Sequence, residues 1–299
     1  MLDAGKAYGG GKPPATIRFN GADVPNPRRD SPPASMLGAE QKRWFLDRLR
    51  ASAATWKLWG NSVGMLDWRT DLQNLPAEGG PKWPVDGYAL TGDDWSLYRT
   101  ERAEILGLVG RERIAGFATI AGDRHAFVAG ALSESLPPRP YQPVGVEFVT
   151  GSISAPTMLE SAQHNLKAGL PWRSLYLHDP AGGGPGEPAI HLSLRHGVRS
   201  SLALQSTGDR AKALAASNPE VAPHLAFTDV GGHGYAVVRA SAEDLQVEFV
   251  CIPRPLERSD RPDGGPLAYR VVHKVKRWAP GTEPRLERVR VEGELPLGS

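Results

Sequence analysis

The chain has 299 residues, enough to bury a full core as one large domain or two small ones. Hydrophobic residues make up 40% and charged residues 23%, and a formal charge of +2 without a dense Lys/Arg block gives no support to a nucleic-acid or membrane-surface partner. A single cysteine, Cys251, excludes an internal disulfide and a cysteine metal cluster, and no apolar run of about 18 residues is present to span a membrane.

Residues 1–34 carry a glycine triplet at 9–11 and prolines at 13, 14, 25, 27, 32 and 33. This composition excludes a helix, makes a poor strand and reads as a lead-in rather than a domain. Lys12 follows the glycines, but no GK[ST] phosphate loop follows. A helix is expected over 38–54, with Ala39, Trp44, Leu46, Leu49 and Ala53 as its apolar stripe. A strand over 55–59 then runs into Gly60-Asn61, and Asn61 is either a turn residue or a group that ligates a metal through its carbonyl oxygen or donates to a phosphoryl oxygen. Residues 64–98 are long, aromatic and acidic, with Asp67, Asp71, Trp83, Asp86, Asp93, Asp94 and Trp95, and read as a loop packed over a site. A helix over 99–111 follows, with Leu106 and Leu108/Val109 inward and Glu101, Arg102 and Glu104 outward.

The apolar run 114–121 ends in Gly122-Asp123-Arg124-His125. A buried strand that breaks at a glycine is where open α/β sheets place their chemistry. Asp123 and His125 offer a hard oxygen and a borderline nitrogen two residues apart, which suits a metal ion or a general acid/base couple. The alternative is a turn aspartate with the histidine packed beneath it. A strand over 144–149 ends at Thr150-Gly151-Ser152, whose hydroxyls and backbone N–H groups can face a phosphate, and a helix spans 156–166. Residues 190–204 read as a hairpin turning at His196-Gly197, which sets His191 and His196 on opposite faces and discounts them as a metal pair. After a helix and loop over 208–223, strands near 224–229, 235–241, 245–252, 267–277 and 286–292 form a mostly antiparallel run, with Cys251 as a core residue. The order of elements, αβ units first and an all-β tail after, indicates an α/β (α+β) class.

The string SMLGAEQKRWFLDRLRASAATWKLWGNSVGM, then residues 95–101, GFATIAGDRHAF and PVGVEFVTGSISAP resemble the C-terminal part of the PhoD-like phosphatases, the alkaline phosphatase D family. That family is related to purple acid phosphatases and to calcineurin-like metallophosphoesterases. The resemblance covers residues 35–166 well and extends more weakly through His224 and His233 to the end. It implies a metallophosphoesterase-like β-sandwich flanked by helices, with an antiparallel C-terminal part, a lead-in over 1–34 and one C-terminal-type domain over 35–299. The family's GDIHSS stands here as Gly122-Asp123-Arg124-His125-Ala126-Phe127, which adds the cation Arg124. The family's N-terminal half, with its first metal aspartates, is missing from this chain.

What the resemblance implies is therefore half of a two-metal site. Asp123 and His125 are its best ligands and Asn61 a weaker one, with iron, calcium, zinc or manganese as the ion. His125 and Arg124 would act on the phosphoryl group, Arg124 by stabilising negative charge. Asp67, Asp71 or Asp94 would substitute for absent ligands. The expected activity is hydrolysis of a small-molecule phosphoester. The alternatives are a non-catalytic or partner-dependent remnant, whose missing half another polypeptide supplies, and a truncated chain whose half-sheet exposes apolar edges and self-associates. The family is usually exported, whereas Met1-Leu2-Asp3 does not open a signal peptide. A serine hydrolase using Ser152 or Ser154 ranks below these readings, because no G-x-S-x-G elbow surrounds either.

Overall fold

A computed structural model describes residues 14–75, 88–91, 94–170, 173–183, 186–261 and 265–299. Trp83, Asp86, Asp93 and the glycine triplet lie outside the described residues.

The fold is mixed α/β, with two main sheets and helices on one side. The first sheet has five strands: β3 (Lys57–Val63), β6 (Phe117–Gly122), β7 (Phe127–Leu132), β8 (Gly145–Val149) and β11 (Leu225–Asp229). Their spatial order is β11-β7-β8-β6-β3. The strands β3, β6 and β8 run parallel, and β7 is antiparallel to both β8 and β11. The carboxyl ends of β3, β6, β8 and β11 therefore reach one edge, where β7 begins.

The second sheet is the meander β12 (His233–Ala240), β13 (Asp244–Ile252), β14 (Tyr269–Lys276) and β15 (Leu286–Gly293), antiparallel throughout. Alternation along β13 sends Leu245, Val247, Phe249 and Cys251 inward to meet Ala118, Phe127, Val146, Phe148 and Phe227 of the first sheet. This face-to-face packing makes the sandwich that the sequence resemblance implies.

The other face of the first sheet carries α1 (Gly38–Ala51), α2 (Arg99–Arg111) and α4 (Ile190–Arg195), with Leu49, Ile105, Leu106, Val109, Ile190 and Leu194 in a second core. The bounds of α2 are those expected, but Glu101 and Arg102 point inward rather than out. Glu101 accepts hydrogen bonds from the Met36 and Leu37 amides at 2.6 and 3.2 Å and so serves the start of α1. Arg102 donates to the Met65 carbonyl at 2.8 Å. Trp44, placed on the buried stripe of α1 by its spacing, is instead exposed.

Three further expectations are corrected. The lead-in contains a hairpin, β1 (Thr16–Phe19) and β2 (Ala22–Pro25), closed by Asn20 at φ 48° and Gly21 at φ 79°. Asn-Gly supplies two left-handed residues, the geometry a two-residue hairpin turn requires. Residues 190–204 are two short helices, α4 and α5 (Val198–Thr207), with Gly197 at φ 89° between them. The apolar alternation at 190, 192 and 194 arises because Ile190 and Leu194 face one core and Leu192 another. His191 and His196 remain apart, His191 accepting from the Val230 amide at 2.8 Å and His196 Nδ1 lying 2.9 Å from the Ser217 hydroxyl. Finally, the described residues of the 64–98 stretch include regular elements rather than loop alone: β4 (Trp68–Thr70), β5 (Ala89–Thr91) and a single-turn helix at Trp95–Leu97. Trp68 and Trp95 are buried in the helix-side core.

Candidate active site at the carboxyl edge of the mixed sheet

The register places the candidate residues at one edge. Val63 pairs with Gly122, the Thr150 amide donates to the Ala121 carbonyl at 2.9 Å, and Asp229 pairs with Phe127. Asn61 stands in the irregular segment of β3 between the Gly60–Ile120 and Val63–Gly122 pairs. Two of these strand ends carry orphaned buried atoms, Asn61 Nδ2 and Thr150 Oγ1. A buried donor left unpaired is costly, so a ligand oxygen at this edge would relieve it.

Asp123 and His125 both have left-handed backbones, at φ 68° and 52°. Such conformations are uncommon outside glycine and concentrate at functional loops. Arg124, between them, is buried, and its inward course leaves the flanking pair on the solvent side. Asp123 is exposed and makes no hydrogen bond or ion pair among the described residues. His125 Nδ1 bonds the Pro156 carbonyl, an acceptor, so the neutral ring carries its proton on Nδ1 and its lone pair on Nε2. Metal-ligating histidines use this same arrangement, in which a backbone carbonyl fixes the ring through its second nitrogen. The Met158 amide donates to the His125 carbonyl at 3.3 Å, which ties the loop to α3 (Met158–Asn165).

Arg124 does not face the solvent side where a phosphoryl group would bind. Its Nη2 is directed at the Asp94 carboxylate, at the Leu66 carbonyl (2.5 Å) and at the Gly64 carbonyl (3.3 Å), and its guanidinium lies 4.8 Å from the Trp68 ring centre. The acids expected to replace missing ligands are likewise committed. Asp94 pairs with Arg124. Asp67 pairs with Arg99 and Arg102, and Asp71 accepts from the Val198 amide at 2.7 Å and from Asn218 at 2.9 Å. Among the described residues, no three His, Cys, Asp or Glu side chains converge into a metal cluster.

Further along the same edge lies a cavity of about 570 Å³, lined by Glu160, His191, Asp229, His233, Arg254 and Tyr269. His233 Nε2 lies 3.2 Å from Glu160, and Arg254 bonds the same carboxylate at 3.4 Å. Burial opposes ionisation of Glu160, but the Thr157 amide, His233 and Arg254 hold its carboxyl below the usual range. The sequence signal for this acid is Thr157-x-x-Glu160, a capping box that forms with Thr157 accepting from the Glu160 amide and Glu160 accepting from the Thr157 amide. Asp229 accepts from the Tyr269 hydroxyl at 2.6 Å and the Gly231 amide at 2.8 Å.

Comparison with known proteins follows this geometry. The model of the PhoD-like phosphatases matches residues 8–178. Alkaline phosphatase D of Bacillus subtilis (strain 168) is 23% identical over 136 residues, which is 46% of this chain and 21% of that protein. A solved structure of PhoD superposes on 87% of this chain with a TM-score of 0.54 at 16% identity, and the superposition covers 36% of its own length. The chain thus spans about a fifth to a third of the relatives it matches. A family match over more than half of the residues, joined to the shared fold, places this chain in the PhoD-like phosphatase family.

Proposed function

We propose that the chain hydrolyses phosphoesters of small molecules at the Asp123–His125 loop, with a metal ion held there. The observation that carries this reading is the outward pair of left-handed residues at the end of β6, one an unpaired carboxylate and the other a histidine whose free nitrogen is set by the Pro156 carbonyl. The orphaned Asn61 amide, on β3 two residues before the Val63–Gly122 pair, adds a third polar group at that sheet edge.

These donors suit an oxygen-preferring or borderline ion such as iron, calcium, zinc or manganese, with Asp123, His125 Nε2 and the Asn61 side chain as its protein ligands. When bound, such an ion supplies Lewis-acid polarisation of the phosphoryl group and acidifies the attacking water. Three protein groups leave coordination positions to be filled by water, by substrate oxygens, or by donors of polypeptide beyond these residues. Asp123 contributes fixed negative charge that holds a cation next to the anionic ester. His125, held through Nδ1, presents Nε2 without the cost of reorienting the ring. Asn61 donates to an oxygen at the same edge and so orients the phosphoryl group. Arg124 lies below the loop and does not contact substrate in this reading.

The test combines elemental analysis of the purified protein with a panel of phosphomonoesters and phosphodiesters, before and after chelation. Near one equivalent of metal, loss of turnover on chelation, and loss of both metal and turnover in Asp123→Ala support the reading. Undiminished turnover by metal-free protein overturns the assignment of the ion. A protein that holds metal but turns over no ester favours the non-catalytic alternative.

A further inference from the structure

We infer that Arg124 and Asp94 form a buried clamp that positions Asp123 and His125, a role that rests on the reading of those two residues as the ligand pair. Three separate segments meet at one guanidinium. The β6–β7 loop supplies Arg124 itself. The segment after β3 supplies the Gly64 and Leu66 carbonyls, which accept from Nη2. The turn before α2 supplies Asp94, whose second oxygen accepts from the Ser96 amide at 2.8 Å and hydroxyl at 2.7 Å. The Trp68 ring centre lies 4.8 Å from the guanidinium, whose Nε and Nη1 are buried without a hydrogen-bond partner among the described residues.

The burial makes this more than a surface ion pair. The Arg124 and Asp94 side chains are each 5% exposed, so removing one leaves the other as an uncompensated charge in the interior. The fit at residue 64 is also specific, because a Cβ there would stand 2.8 Å from Arg124 Nε and 3.2 Å from Val149 Cγ2. Gly64 is thus the close-approach point at which the cation reaches the main chain.

The consequence for the loop is geometric. Asp123 and His125, at φ 68° and 52°, each occupy a left-handed backbone region that is unfavourable for a non-glycine residue. Fixing the residue between them from below holds both neighbours in that region and turns both side chains outward. Arg, rather than Lys, suits the position because a planar guanidinium can bond a carboxylate and carbonyls while stacking on an indole. Arg124 and Asp94 are therefore positioning residues that act through the backbone at 123–125.

The test uses full-length protein and the variants Arg124→Met, Arg124→Lys, Asp94→Asn, Gly64→Ala and Asp123→Asn, with folding checked by circular dichroism. Two readouts are taken: Mn²⁺ affinity by calorimetry, and the ¹⁵N shifts of the His125 imidazole in metal-free protein, which report the Nδ1–H tautomer. In folded Arg124→Met and Asp94→Asn, Mn²⁺ affinity is expected to fall at least tenfold and the His125 shifts to move toward a mixture of tautomers. Arg124→Lys is expected to recover part of both, and Gly64→Ala to reproduce both losses with Arg124 intact. Should the clamp variants bind Mn²⁺ as wild type does while Asp123→Asn does not, the clamp is refuted and the ligand pair stands. Should Asp123→Asn bind as wild type does, or wild type bind none, the ligand pair fails and the clamp's role falls with it. If Arg124→Met does not fold, the Gly64→Ala and Arg124→Lys pair decides, and wild-type tautomer and affinity in both refute the clamp.

Discussion

Asp67→Asn separates two roles that one carboxylate can have in this protein. A free Asp67 would be a reserve metal ligand. In the structure its side chain is 1% exposed and paired with Arg99 and Arg102, while its carbonyl lies 2.7 Å from His224 Nε2. Burial opposes its ionisation, but the Arg102 and Arg99 guanidinium groups overcome that and hold the carboxyl well below the ordinary range. Replacing the charge with an amide removes a buried carboxylate from beside two interior guanidinium groups, a change that costs about 3–5 kcal/mol. At roughly 2–4 °C per kcal/mol, Tm falls by roughly 6–20 °C. The sign with pH follows from the lowered carboxyl: the stabilisation is present above about pH 4, the unfolded-state value, and is lost as pH falls below it. Asp67→Asn therefore has a flatter acid limb than wild type. Urea unfolding at pH 7 and at pH 3.5, with Mn²⁺ binding measured on the folded variant, checks both parts. Stability within about 1 kcal/mol of wild type, or a folded variant that loses Mn²⁺, would refute the reasoning.

Three further outcomes are expected. Burial, acting on both residues, pushes the imidazole of His224 down to about 4 and that of His273 to about 3, so each stabilises the fold fully above about pH 6.5 and ever less as pH falls from there. With a limiting slope of roughly 1.4 kcal/mol per pH unit per group, reached only below the unfolded-state value, the pair removes about 3 kcal/mol between pH 6.5 and 5, and His273→Gln should roughly halve that slope in chemical denaturation. Burial, with Asp229 nearby, pushes the Cys251 thiol up to about 12, and iodoacetamide at pH 8 should leave it unmodified in native protein yet alkylate it in urea. Rapid labelling of the native thiol would contradict its place in the sandwich. Gly116 sits at φ 76° where a Cβ would lie 1.9 Å from the Thr55 carbonyl, so Gly116→Ala should lower the yield of soluble protein or Tm far more than Gly122→Ala, which meets nothing within 4 Å.

The parts of the fold that were legible in the sequence are those in which one periodicity dominates. Helix α2 and the tail strands β13 and β14 declare themselves because each buries one dominant face. Residues 190–204 misled because α4 packs into two cores, which gives a helix the alternation of a strand. Strand β7, Phe127–Leu132, carries no alternation to read, since both its faces are covered. Asn20-Gly21 is a hairpin signal that the proline content of residues 1–34 does not reveal. Asp123 and His125 stand out in the sequence by their spacing after a buried strand, and the structure gives both a left-handed backbone at the end of β6. The inward turn of Arg124 does not stand out, because it depends on Asp94, Gly64 and Trp68, which lie 30 to 60 positions away. The commitment of Asp67 and Asp71 to internal partners is equally a long-range property, invisible in a local acidic run.

The most direct test of the central claim is anomalous diffraction from crystals of this protein soaked in Mn²⁺. The account predicts a peak bounded by the Asp123 carboxylate, His125 Nε2 and the Asn61 side chain, with the Nδ1 bond to Pro156 retained. A peak coordinated elsewhere, with Asp123 and His125 left without a metal, would contradict it.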